Sequence, residues 1–122
     1  PRALRARVRA ELYALVRAFA LSDWADAAAG IQPGEDAWTA ADFERALAPY
    51  VEERGAVRWD ARVRAGWTTV FDVVTPQRWN VQQVLVDDDE EGLAWSIRAE
   101  IDLSDDAQPS GPLLRIQGIG PD

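Results

Sequence analysis

The sequence predicts an α+β fold in which N-terminal helices pack on a curved four-stranded antiparallel meander. Two observations carry this. Apolar residues recur at helical steps of three and four up to about residue 54, and from Trp67 the period changes to two. A third is that the alternating segments follow one another through short turn-rich pieces, which favours antiparallel neighbours whose single apolar face the preceding helices must cover.

Leu4, Val8, Leu12, Leu15, Val16 and Phe19 mark an amphipathic helix over about residues 2–20, with its arginines on the wet side. Ser22 is placed to cap a short second helix over residues 23–29, and Gly30 to stop it in the left-handed region. Residues 31–38, with Pro33 and Gly34, read as loop. Thr39 followed by Asp42 resembles a capping box, and Phe43, Ala46, Leu47, Tyr50 and Val51 continue a helix over residues 40–54, stopped near Gly55. Pro49 inside that stripe predicts a kink near Ala48 or a new turn at Pro49, because proline lacks the backbone donor and crowds the preceding turn.

Strands are expected over residues 67–75, 79–86, 93–103 and 113–119. The second places Trp79, Val81, Gln83 and Leu85 on one face. The third places Leu93, Trp95, Ile97, Ala99, Ile101 and Leu103 on a dry face, opposite Ser96, Arg98, Glu100 and Asp102. The run Asp87, Asp88, Asp89, Glu90 and Glu91 reads as a hairpin loop, and residues 104–112 as a turn-rich connection.

At 122 residues the chain falls in the size range of a single domain, and 48% hydrophobic content with six tryptophans is enough to build a core. Cysteine, histidine and lysine are all absent, and the thirteen basic residues are all arginine, a pattern read as compositional bias. Those absences remove disulfides, thiolate metal sites, the commonest general base, the Schiff-base amine and the P-loop lysine. No cofactor is expected, and no nucleotide-binding glycine loop, HExxH or GxSxG occurs. Net charge is −8, yet residues 1 to 20 hold five arginines against Glu11, so a basic first helix sits on an acidic body. No segment has the length of a membrane span and no signal-peptide layout appears, so the expected location is cytoplasmic. The first residue, Pro1, suggests that a further segment precedes it.

Few residues qualify as functional candidates. The acidic run could bind a hard cation, but it lacks the alternating ligands and glycine of a calcium loop and reads as a solvated turn. Asp72 lies among Val70, Phe71, Val73 and Val74, where burial would make it a base; an edge or wet-face aspartate is the commoner role. Gln83, the odd polar member of its strand face, either contacts a ligand or satisfies buried backbone groups. Together with Trp79, Tyr50 and Tyr13 it defines a candidate pocket between the helices and the inner sheet face, with core packing as the alternative for the aromatics. Arg2, Arg5, Arg7 and Arg9 are candidates for phosphate contact or for docking, and so acidic a domain favours docking over direct nucleic-acid contact.

The segments RWNVQQVL at residues 78–85 and WSIRAEIDL at residues 95–103 resemble the C-terminal domain of bacterial DEAD/DEAH-box helicases. Upstream, ALAPY at residues 46–50 and Asp60-Ala61-Arg62 are similar to the A-L-x-P-Y and D-A-R segments of that family. The resemblance implies a cone of the nuclear-transport-factor-like, or cystatin-like, type. It also implies a non-catalytic accessory or protein-interaction role beside an ATP-dependent superfamily-2 helicase core, with that core as partner and nucleic acid touched at most indirectly. The loop VDDDEEGLA and the stretch GWTTVFDVVT depart from the family pattern and leave room for a stand-alone homologue. Two alternatives stay open: a small-molecule pocket or enzyme of the cone fold, and a homodimer through the outer sheet face.

Overall fold

A computed structural model describes residues 2–89, 92–104 and 110–122. Glu90 and Glu91 of the acidic run, and residues 105–109 of the turn-rich connection, lie outside the described residues. Helices α1 (Arg2–Ala20), α2 (Trp24–Ala29) and α3 (Ala40–Arg54) precede strands β1 (Thr69–Thr75), β2 (Arg78–Leu85), β3 (Trp95–Asp102) and β4 (Arg115–Pro121). The strands pair antiparallel in the order β1-β2-β3-β4, which is the predicted meander, with β1 and β4 at its edges.

The stripe of α1 is buried at all six predicted positions, and Phe19 carries it on to Phe43 of α3 with ring centroids 5.7 Å apart. Fully burying a side chain of this size contributes about 1.5–3 kcal/mol, so this stripe seats the helix. Its arginines depart from the expected wet side. Arg2 and Arg17 are exposed, whereas Arg5, Arg7 and Arg9 are half-buried, because a guanidinium on a flanking position lays its stem along neighbouring surface.

The turn between α1 and α2 also differs from expectation. Ser22 adopts φ 52°, its N–H donates to Phe19 O and the Asp23 N–H donates to Ala18 O, so Ser22 closes α1 in a Schellman arrangement. Asp23 is the residue that caps α2, accepting from the Asp26 N–H at 3.0 Å. Gly30, which follows α2, has φ −90° and is not the left-handed stop; its N–H donates to Ala27 O in a right-handed turn, so no positive φ is needed there. The capping box forms as predicted, with Thr39 N–H donating to Asp42 Oδ2 at 2.8 Å and Asp42 N–H to Thr39 Oγ1 at 3.2 Å. Helix α3 continues through Pro49, so no new turn starts there, and Gly55 ends it at φ 82°.

Strand β1 starts two residues later than predicted. Thr68 Oγ1 lies 2.8 Å from both Val63 O and Ala65 O and shares its one proton between them, which holds residues 66–68 in a 3-10 turn and leaves Trp67 outside the sheet, 65% exposed. Burial alternates along β2 and β3 as expected, with Trp79, Val81, Gln83 and Leu85 packed beside Trp95, Ile97, Ala99 and Ile101. Leu93 stands before β3 and is exposed, since the ladder begins only at the Leu85–Trp95 pair. Ser96 points to the outer face yet is fully buried, because Gln82 Nε2 donates to both its Oγ and Asp122 Oδ1 at 3.0 Å. Asp72 lies exposed on the edge strand β1.

Candidate functional site

Gln83 is fully buried and spends its amide on protein groups. Its Oε1 accepts from Thr69 Oγ1 at 2.5 Å, and its Nε2 lies 3.5 Å from Val63 O and 3.4 Å from Val84 O. Trp79 packs edge-on against Phe71, with centroids 5.9 Å apart, and Tyr50 edge-on against Trp95 at 5.4 Å. Burial raises the proton affinity of the Tyr50 hydroxyl, and neither that hydroxyl nor Trp79 Nε1 has a hydrogen-bond partner among the described residues. Tyr13 is half-buried at the margin of the core. The candidate pocket residues do not converge. Trp95, against which Tyr50 packs, pairs with Leu85 at one end of the β2–β3 ladder, whereas Trp79 pairs with Ile101 towards the other.

The α1 arginines are held against the body. The Arg5 guanidinium lies 5.0 Å from the Phe71 ring centre and 5.6 Å from that of Trp79, and Arg9 lies 5.0 Å from Phe71. Such stacking contributes about 0.5–1 kcal/mol at partly exposed sites and orients the cations towards aromatic faces. Arg7 Nη2 donates to Gly111 O and its Nε pairs with Glu11 at 3.5 Å. Glu11 in turn accepts from the Leu113 N–H at 2.7 Å, tying α1 to the approach of β4. Of the four candidates, only Arg2 is exposed; the other three are half-buried.

The acidic run is engaged by arginines that sequence reasoning did not connect to it. Arg54, at the end of α3, pairs with Asp87 at 2.9 Å and lies 4.0 Å from Asp89; its side chain is 6% exposed and that of Asp87 11%. Asp88 receives Arg62 at 2.9 Å and Arg58 at 3.4 Å. Arg62 also grips Asp60 through two nitrogens, at 2.8 and 3.0 Å, while the Arg62 N–H donates to the same carboxylate. The Arg62 guanidinium holds Asp60 down at about 2 and lowers Asp88 as well. The β2–β3 connection is thereby clamped to the segment after α3. No described group of three or more carboxylates is arranged to hold a metal ion. The sequence signals for the clamp were the four-residue spacing of Arg54, Arg58 and Arg62 and the Asp60-Ala61-Arg62 segment, and neither pointed to the acidic run as the partner.

Beside the clamp, a cleft of about 200 Å³ is lined by Arg62, Trp67, Val84, Asp87 and Ala94 among others. Trp67 is a wall of it; Val70 and Val74, both 51% exposed, stand on the following strand β1 with the exposed Asp72 between them. The family model described as Domain of unknown function (DUF3516) matches residues 1–119. The chain belongs to this family. The DUF3516 match runs from the first helix into β4, so it covers the clamp, the Trp67 cleft and the α1 arginines alike. No curated protein and no solved structure matches the chain. No described helix is long and apolar enough to cross a membrane.

Proposed function

We propose that this domain is a non-catalytic interaction module, and that a superfamily-2 helicase core, of its own or a partner chain, docks on the face around Trp67. The observation that supports it is Trp67 itself, a tryptophan 65% exposed on a pinned turn beside a cleft of mixed apolar and charged lining. Tryptophan is costly to leave in water and is enriched among residues that dominate binding energy, so a rigidly held exposed one marks a docking surface. The clamp next to it fixes the cleft's other wall, which lowers the ordering cost of association. The partner class comes from the resemblance of the RWNVQQVL and WSIRAEIDL strands to helicase-associated domains, and the lack of histidine, cysteine and lysine suits an accessory role. Titration calorimetry of the 122-residue chain against a helicase core of this class tests the reading. Trp67→Ala is expected to weaken binding about 30-fold, in line with the ~2 kcal/mol of a buried tryptophan anchor. Equal affinity of the two proteins, or no binding by either, would overturn it.

A further inference from the structure

A second surface lies at the opposite edge of the sheet. We infer that β4 is an acceptor edge for an extended basic segment of a partner protein, seated in the groove between β4 and residues 31–38. This goes beyond the Trp67 docking and does not depend on it.

The groove encloses about 460 Å³ and is lined by Ile31, Trp38, Glu100, Arg115, Ile116 and Gln117, with Glu35 and Asp36 also on its wall. That volume falls in the range of sites that hold ligands or side chains. Its geometry comes from an interrupted pairing. The Gln32 N–H donates to Leu114 O at 2.9 Å, as an added strand would, and the two segments then leave the space between them. Beyond that bond, the side of β4 facing away from β3 makes no backbone hydrogen bond to a described residue. An exposed edge of this kind is a template for one more strand, in which main-chain bonds supply affinity and side-chain pockets supply selectivity.

Charge selects the occupant. On the β4 wall, Arg115 is already paired with Glu100 at 3.4 Å and with Asp102 at 3.6 Å, and Gln117 Nε2 donates to Glu100 at 3.5 Å. On the loop wall, Glu35 and Asp36 are exposed and form no ion pair or hydrogen bond with any described residue. The net field of the groove is therefore negative. Trp38 is half-buried in the same wall, held by Phe43 at 5.2 Å, and its ring face suits a guanidinium or ammonium group. An arginine- or lysine-bearing strand meets all three features, whereas an acidic one meets like charge.

Panning phage-displayed random dodecapeptides on the immobilised 122-residue chain tests this without assuming a partner. Enriched peptides are expected to carry arginine or lysine among β-formers and to slow amide hydrogen exchange in residues 115–119. Resynthesised, they are expected to bind Glu35→Gln/Asp36→Asn about tenfold more weakly than wild type, and to bind Trp67→Ala as well as wild type. No enrichment, enriched peptides without basic residues, unchanged affinity for the charge variant, or protection at β1 in place of β4 would each overturn the proposal.

Discussion

Replacing Gln83 by leucine separates a structural amide from a ligand contact. The side chain is fully buried, and its strongest bond is the 2.5 Å contact from Thr69 Oγ1; the amide nitrogen reaches two carbonyls only at 3.4 and 3.5 Å, the outer limit of a hydrogen bond. Val63 O keeps another donor, Thr68 Oγ1 at 2.8 Å, so it is not orphaned. The cost then comes mainly from a buried Thr69 hydroxyl that loses its acceptor, about 1–3 kcal/mol for such a group and partly offset by the leucine's apolar atoms. Gln83→Leu is expected to destabilise by about 1–2 kcal/mol. Thr69→Val, which strands the Gln83 oxygen, is expected to cost a similar amount, while the double variant removes both partners and returns close to wild type. Urea unfolding of the four proteins measures the coupling, expected at about 1–2 kcal/mol against the ~0.5 kcal/mol within which independent sites add. An unchanged midpoint for Gln83→Leu together with additive singles would refute the reasoning. It would show Gln83 facing water and revive its role as a ligand contact.

Trp95→Ala is expected to cost roughly 3–5 kcal/mol, because Trp95 is only 7% exposed and closes the core against Tyr50; a denaturant midpoint near wild type would contradict that burial. Arg54→Leu is expected to cost roughly 3 kcal/mol by leaving Asp87 nearly buried and unpaired, and Arg54→Leu/Asp87→Leu is expected to be more stable than the single variant. The reverse order in chemical denaturation would show that the pair contributes little. Asp60 is held at about 2 against an ordinary 3.8, and Asp88 and Asp42 are also depressed, by Arg62 and by the Thr39 backbone respectively. Groups with lowered folded-state pKa contribute stability above their unfolded value and lose it as pH falls through the folded one. Urea midpoints are therefore expected to hold from pH 7 to about 4 and to fall towards pH 2, with a shallower fall in Asp60→Asn; a flat profile would exclude the clamp as a stabilising element.

What was legible in the sequence is what depends on neighbours within a few residues. The α1 stripe, the alternation of β2 and β3 and the Thr39–Asp42 box are local periodicities; the stripe and the box formed where predicted, and the alternation holds within β2 and from Trp95 to Ile101 but not at Leu93. The helix stop at Ser22 was not legible, because a left-handed serine carries none of the signal that glycine does. Trp67 was misplaced in a strand for a related reason: its aromatic character fits β-structure, and the turn that removes it is set by the Thr68 hydroxyl reaching back to Val63. For the candidate site the limit was distance along the chain. The clamp joins residues 26 to 33 positions apart, so a run of aspartates read by itself looked like a solvated turn.

The clamp also changes the meaning of the arginine-only composition. Arg62 donates from Nε and Nη2 to both oxygens of Asp60, and from Nη1 to Asp88, three bonds that require a rigid planar fork. A lysine ammonium has three donors on one nitrogen and could not make the side-on, two-nitrogen contact to Asp60 while also reaching Asp88. Arg54 enters a nearly closed site where it pairs with Asp87 while its guanidinium lies 5.7 Å from the Tyr50 ring centre, a combination that suits a delocalised, weakly hydrated cation better than an ammonium. Whatever bias filled the chain with arginine, at residues 54 and 62 the fold makes use of that choice to hold the β2–β3 connection, and with it one wall of the Trp67 cleft, in a fixed position.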